Sequence, residues 1–206
     1  MVESNKLAKA LQMRRQRLCK VAVNLTRESI VLRRKLLARS WKLGLYEDEL
    51  KLPSGKIQLT PRLTLPDFVV VIALRQSDER IPLVHQYRHG SRQLIWELPA
   101  GHIESRERPL ESAKREFQEE IGYDLLSPKL VCSAYISPPR SKQRAHIFLG
   151  QVGKKIRQKL DETEYLKVKF VSPSVAERLL EHRVSAIHLL AFNLARNKGL
   201  FEKLSF

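Results

Sequence analysis

The longest unbroken apolar run in the chain is Phe68 to Leu74, FVVVIAL, with β-branched residues on both sides of its alternation. A strand buried on both faces reads this way, so the run predicts the centre of a sheet. A polar turn from Gln76 to Arg80 and a second apolar stretch, Ile81 to Tyr87, predict another strand. Leu94 to Leu98 predicts one more, running into Pro99-Ala100-Gly101. Upstream, Glu47 to Leu52 and Lys56 to Leu59 flank Pro53-Ser54-Gly55 and predict a hairpin. Downstream, strands are expected at Lys129 to Tyr135, His146 to Val152 and Tyr165 to Val171.

The period lengthens to three and four at Leu110, Ala113, Phe117 and Ile121. Pro109 stands where a helix starts without losing a needed N–H, and Gly122 where a left-handed residue ends one, so a helix is expected from Pro109 to Ile121. Two more are expected from Ser174 to Glu181 and from Ser185 to Leu200, the latter with Ile187, Leu190, Ala191 and Leu194 inward. The first forty residues also read as helical. Leu7, Leu11 and Leu18 share a face interrupted by Arg14 and Arg15, and Thr26 is an N-cap for a segment placing Ile30, Leu36, Leu37 and Trp41 among Arg33, Arg34 and Lys35. Strands on both sides of one helix, with further helices near the C-terminus, predict an α/β sandwich around a mixed sheet.

Length allows one domain of ordinary size with an extension, divided here as residues 1–42 and 43–206. No run is long enough to span a bilayer. Cys19 and Cys132 lie far apart without metal-ligand spacing, which points to reduced thiols and a cytoplasmic protein. The net charge of +16 is uneven: residues 1–42 hold twelve Lys or Arg against Glu3 and Glu28, a net of +10. Such a field attracts polyanions, whether nucleotide, nucleic acid or anionic membrane, without choosing among them. The extension reads as a structural arm on its own domain or a partner subunit, as a nucleic-acid or membrane-surface contact, or as a cleaved presequence, against which its glutamates and lack of serine enrichment count.

On the helix from Pro109, Glu116, Glu119 and Glu120 fall together on one face. Like charges at this spacing repel by a few tenths of a kcal/mol per pair, so a cation is expected to share the site. Ligands that are all oxygen suit a hard divalent ion such as Mg²⁺, Mn²⁺ or Ca²⁺. Gly101, Glu107, Arg115-Glu116, Glu119-Glu120 and Gly122 complete the pattern G-x5-E-x7-R-E-U-x-E-E-x-G-U, with Phe117 and Tyr123 at the bulky apolar positions U, where aliphatic residues are more usual. This resembles the Nudix box of hydrolases that cleave a nucleoside diphosphate linked to another group. The resemblance implies the Nudix fold, an α/β/α sandwich with a mixed β-sheet, here carrying a basic helical N-terminal extension. It implies a metal site of Glu116 and Glu120 as direct ligands, Glu119 as a third ligand or water-mediated partner, and the Ala100 carbonyl. Mg²⁺ is the expected ion, with Mn²⁺ as substitute. Arg115 would orient the glutamates, anchored by Glu107.

Outside the box, His85-Gln86-Tyr87-Arg88, Trp96-Glu97-Leu98-Pro99-Ala100-Gly101 and Pro139 within Tyr135-Ile136-Ser137-Pro138-Pro139 resemble the ADP-ribose pyrophosphatase branch. That likeness gives Arg88, Glu97 and Pro139 roles in the substrate cleft, and a late loop, Asp161-Glu162-Thr163-Glu164, a base, with Glu162 first and Glu164 second. It also implies a homodimer with strands exchanged near the N-terminus. One departure bears on substrate: where the branch places glycine and then an acid after Ser-Pro, this chain has Pro139, Arg140, Ser141, Lys142, Gln143 and Arg144, which points to a more highly phosphorylated substrate than ADP-ribose or a nucleotide sugar of another kind. The expected reaction is hydrolysis of ADP-ribose or a related nucleoside diphosphate sugar to a nucleoside monophosphate and a sugar phosphate. The rivals are a hydrolase of capped RNA or dinucleotides and a catalytically lapsed Nudix-fold module that binds RNA.

Overall fold

The computed structural model describes residues 28–160, 165–182 and 185–201. Its strands are β1 (Ile30–Ser40), β2 (Leu43–Lys51), β3 (Ile57–Thr64), β4 (Phe68–Leu74), β5 (Ile81–Arg88), β6 (Gln93–Glu97), β7 (Ala100–His102), β8 (Tyr123–Tyr135), β9 (Arg144–Lys155) and β10 (Leu166–Val171). The helices are α1 (Pro109–Ile121), α2 (Pro173–Glu181) and α3 (Ala186–Asn197). They form sheets of order β1-β2-β3, β10-β5-β6 and β7-β4-β9-β8. The last is mixed: β4 runs parallel to β9, while β7 on one side and β8 on the other are antiparallel to their neighbours.

β4 shows why the fold is layered. Its residues alternate between two cores. Val70, Ile72 and Leu74 pack with Leu180 of α2 and Ala191, Phe192 and Ala195 of α3. Val69, Val71 and Ala73 pack with Ala113, Phe117 and Ile121 of α1. The sheet is therefore covered by helices on both faces, the expected α/β/α sandwich. Truncating fully buried Phe117 to alanine would cost about 3–5 kcal/mol. Leu110 and Leu190, expected inward, are exposed at the edges of their helical stripes.

By compactness the described residues divide into 28–37 with 46–62, and 38–45 with those from 63 to 201. In the smaller unit, Arg34 and Arg62 both pair with Asp48, and Arg62 also lies over the Tyr46 ring. The helix expected to run on from Thr26 to Trp41 is corrected here: residues 30–40 are the strand β1. Ile30, Leu36 and Leu37 fit either period, and pairing with β2 decides it, because tertiary partners override local spacing. The boundary expected after residue 42 falls in the Trp41-Lys42 turn joining β1 to β2. The helical reading of Leu7 to Leu18 lies outside the described residues. β8 starts at Tyr123 instead of Lys129; its register with β9 shifts between Leu126 and Lys129, where Ser127 has φ 47°, so a bulge absorbs the Ser127-Pro128 break. Among the described residues no helix is long and apolar enough to cross a membrane.

Candidate active site

The site starts from a three-residue strand. β7 is in register with β4, with Gly101 opposite Val69 and Ala100 opposite Val70, and the Val71 N–H donates to the Pro99 carbonyl at 2.8 Å. The loop before α1 is thereby tied to the most deeply buried strand of the molecule. At the helix N-terminus the Arg108 N–H donates to the Glu111 carboxylate at 3.0 Å. At its C-terminus Gly122 takes φ 75°, and its N–H donates to the Gln118 carbonyl at 3.0 Å. Residues 156–159 cover this end: Ile156 N–H donates to Gly122 O at 2.8 Å, Lys159 N–H to Glu119 O at 3.2 Å, and the Gln158 amide to Glu120 O.

With Ala113, Phe117 and Ile121 against the sheet, Glu116, Glu119 and Glu120 reach a cleft of about 560 Å³ that Ala100, Gly101, Arg115, Arg88 and Glu97 also line. A Cβ on Gly101 would stand 2.0–2.2 Å from the Glu116 carboxylate atoms. Only glycine lets that carboxylate lie against β7. Ala100 donates its N–H to Glu120 at 2.9 Å. A wider groove of about 840 Å³, with Asp67, Glu107 and His146 on its walls, shares Lys42 and Glu104 with the cleft but holds none of these three glutamates.

Arg115 ties the acids together. Its guanidinium donates to both oxygens of Glu107 at 2.9 Å, to Glu116 at 2.8 Å, to Glu119 at 2.9 Å and to the His102 carbonyl at 3.0 Å. Those neighbours push its pKa further above its ordinary value, with the Glu107 hydrogen bonds contributing most. In return Arg115 holds the Glu107 carboxyl below the usual carboxylate range. Arg115 and Glu107, paired in the expectation from sequence, are in direct hydrogen-bond contact.

A second cluster lines the cleft from β5 and β6. Glu97 lies opposite Val84 in the antiparallel register, so its side chain shares a face with Gln86 and Arg88. Arg88 Nε donates to Glu97 Oε2 at 2.7 Å, and the Gln86 amide donates to the same oxygen at 3.0 Å. His188 Nε2 lies 3.3 Å from Oε1. Burial pushes the Glu97 carboxyl up, but the hydrogen bond from His188 and the charge and hydrogen bond of Arg88 outweigh it and hold the group below its ordinary value. At the cleft's edge Trp41 meets His102 edge-on, with ring centroids 5.7 Å apart. Burial, then Lys42 and Arg88, lower the pKa of the His102 imidazole.

Of the residues expected at the site, Ala100, Arg115, Glu116, Glu119, Glu120, Arg88 and Glu97 line one cleft. Pro139 does not: it sits in an exposed turn with its carbonyl accepting from Arg140, while Gln143 of the same segment lines the cleft. Glu162 and Glu164 lie outside the described residues. Gln86, His102, Trp41 and His188 were not singled out from sequence.

The donor set tests whether a divalent ion fits. Three carboxylates with all-oxygen chemistry face one cleft beside a glycine that leaves room for them. Arg115 engages two of the carboxylates and the Ala100 N–H the third; among the described residues no three acidic, histidine or cysteine side chains already converge as ligands. The residues suit a hard cation, with Arg115 as the charge it would join.

Comparison with known proteins agrees with this class of site. The NUDIX domain model matches residues 65–191, and the chain belongs to that family. It is 33% identical over 144 residues to an ADP-ribose pyrophosphatase of Bacillus subtilis, covering 68% of this chain and 77% of that one. It is 30% identical over 108 residues to an ADP-ribose pyrophosphatase of Mycobacterium tuberculosis, covering 52% of each. A solved structure described as an ADP compounds hydrolase superposes with a TM-score of 0.75 at 20% identity, covering 85% of this chain and 96% of that one, which supports the fold. The chain is thus a Nudix pyrophosphohydrolase of the ADP-ribose pyrophosphatase-like branch, an enzyme that hydrolyses nucleoside diphosphate compounds. Members of the family generally use divalent metal ions.

Proposed function

We propose that the protein hydrolyses the pyrophosphate linkage of ADP-ribose or a related nucleoside diphosphate sugar, with Mg²⁺ as the working ion and Mn²⁺ as a substitute. The observation that carries this reading is the pairing of an acid-rich wall, Glu116, Glu119 and Glu120, with a guanidinium, Arg88, in one cleft. Glu116, Glu120 and the Ala100 carbonyl would hold the ion, with Glu119 beside them. A divalent ion there supplies charge neutralisation for the diphosphate and a more acidic water. The chain's own residues do the rest. Arg88 grips a phosphate oxygen, Arg115 keeps the carboxylates oriented, and Glu162 or Glu164 accepts the proton of the attacking water. The two pyrophosphatase relatives support the substrate class.

Gln143 adds no charge to the cleft, and its amide donates to the Pro66 carbonyl at 2.8 Å. Lys42, which also lines the cleft, supports reading the site as one that would favour a substrate carrying more phosphate than ADP-ribose. The protein works in the cytoplasm as a homodimer, a reading supported by the exposed Ile30, Leu32, Leu36 and Trp41 of β1 and its turn. A panel of ADP-ribose, phosphorylated ADP-ribose, other nucleotide sugars, dinucleotides and capped RNA, assayed with Mg²⁺ and then Mn²⁺, tests the assignment by product identity. Release of a nucleoside monophosphate and a sugar phosphate at the highest kcat/KM from a nucleotide sugar supports it; preferential turnover of capped RNA, which the basic residues 1–42 would attract, overturns it.

A further inference from the structure

We propose that His188 is a positioning residue for the phosphate grip, acting through Glu97 on Arg88. The inference rests on the reading above that Arg88 holds a substrate phosphate. His188 is buried, 3% exposed, yet it lines the cleft from the first turn of α3. Its Nδ1 accepts the Leu98 N–H at 3.2 Å. That fixes the tautomer: a nitrogen accepting a backbone N–H carries a lone pair, so the proton of a neutral ring resides on Nε2. Nε2 then donates toward Glu97 Oε1, 3.3 Å away.

Each oxygen of Glu97 therefore has its own donors: His188 on Oε1, Arg88 and Gln86 on Oε2. A terminal carboxylate torsion is broad and roughly two-fold, so one anchored oxygen leaves the plane free to turn, and two anchored oxygens do not. With that plane held, Arg88 is tied to Glu97 through Nε and lines the cleft with a side chain that is 44% exposed, which leaves its terminal nitrogens for a phosphate. Since α3 packs on the sheet through Ala191, Phe192 and Ala195, the backbone carrying the imidazole is as fixed as the core. The Leu98 N–H would itself be left buried without an acceptor if the ring were removed, so alanine at 188 confounds folding with function.

Two conservative variants separate the ring's two bonds. His188→Gln keeps an N–H donor near the Nε2 position, for Glu97; His188→Asn keeps an acceptor near Nδ1, for Leu98. Binding of ADP-ribose and, separately, of inorganic pyrophosphate is measured by calorimetry in EDTA on the full chain, beside the melting temperature, for both variants, Arg88→Ala and the Arg88→Ala/His188→Asn double variant. The expected result is about tenfold weaker binding for His188→Asn, as for a lost hydrogen bond to a charged group. His188→Gln should stay within about twofold of wild type, and His188→Asn should add nothing in the Arg88→Ala background. Equal weakening by Asn and Gln, or an undiminished effect of His188→Asn without Arg88, overturns the proposal and leaves His188 a core residue. Wild type that binds pyrophosphate but not ADP-ribose overturns the substrate assignment, and the pyrophosphate series then decides the role of His188. Binding of neither probe overturns both.

Discussion

On the α1 wall of the cleft one guanidinium, Arg115, serves three carboxylates; on the β5–β6 wall one carboxylate, Glu97, serves a guanidinium, an amide and an imidazole. The bonds are of one kind and the outcomes are opposite. With Glu120 added, the first wall has more negative charge than its arginine balances, so it presents anionic oxygen. In the second, the carboxylate is buried at 4% exposure while Arg88 reaches solvent, so that wall presents cationic nitrogen. A cleft with one wall of each sign suits a ligand that is itself divided, a divalent cation together with a diphosphate. Neither wall alone would tell a metal-assisted pyrophosphatase from a surface ion-pair network.

The largest effect is expected from removing charge on the acidic wall. Glu120→Gln should lower kcat by at least about 100-fold, roughly 2.7 kcal/mol, since the proposed ligand to the ion and the partner of the Ala100 N–H are altered together. Folding should survive, because the neighbouring acids repel less once one is neutral. A kcat within tenfold of wild type would remove Glu120 from the metal site and, with it, the contrast between the two walls. Gly101→Ala comes next. The added Cβ meets first the carboxylate end of the Glu116 side chain, so the carboxylate is expected to move before the strand does. We expect a fall in kcat/KM of about tenfold or more, with a melting temperature close to wild type. A variant that melts early yet keeps its activity per folded molecule would show that Gly101 serves packing alone.

How legible these walls were depends on where each residue's partner lies. The acidic wall was plain because its members sit within five residues on one helix, where spacing alone brings Glu116, Glu119 and Glu120 together. β4 was plain for a similar reason: apolar on both faces, it reads the same whichever helix covers it. Residues 30–40 were not. Leu36 and Leu37 fit a helix as well as a strand, and what selects the strand includes Asp48, fourteen positions on from Arg34. His188 left a faint trace, a polar residue three and four positions before the buried Ala191 and Phe192. Its partner Leu98 is 90 positions away, out of reach of any local pattern. Pro139 shows the converse case, a motif position carried over to an exposed turn outside the cleft lining, while Gln143 four residues later lines it.

The smallest effect, and the one that sharpens the contrast, is in acid. Arg115 depresses the pKa of Glu107 below the ordinary glutamate value of 4.5 in the folded chain. The unfolded chain binds a proton there more readily, so this ion pair stabilises the fold above that value, and the contribution is lost as pH falls through the folded pKa. Glu107→Gln keeps an oxygen for Arg115 but removes the charge. It should therefore melt earlier than wild type at neutral pH, and the gap should close as the pH falls below the ordinary glutamate value and through the folded pKa. Glu107 is partly exposed, so the shift should be a few degrees at most and should shrink in high salt. Activity at neutral pH gives the second readout. Because Arg115 would retain Glu116 and Glu119, kcat should fall far less than in Glu120→Gln. A loss as large as that variant's would mean that Glu107, on the outer side of Arg115, controls the carboxylates as strongly as their own place on the helix does.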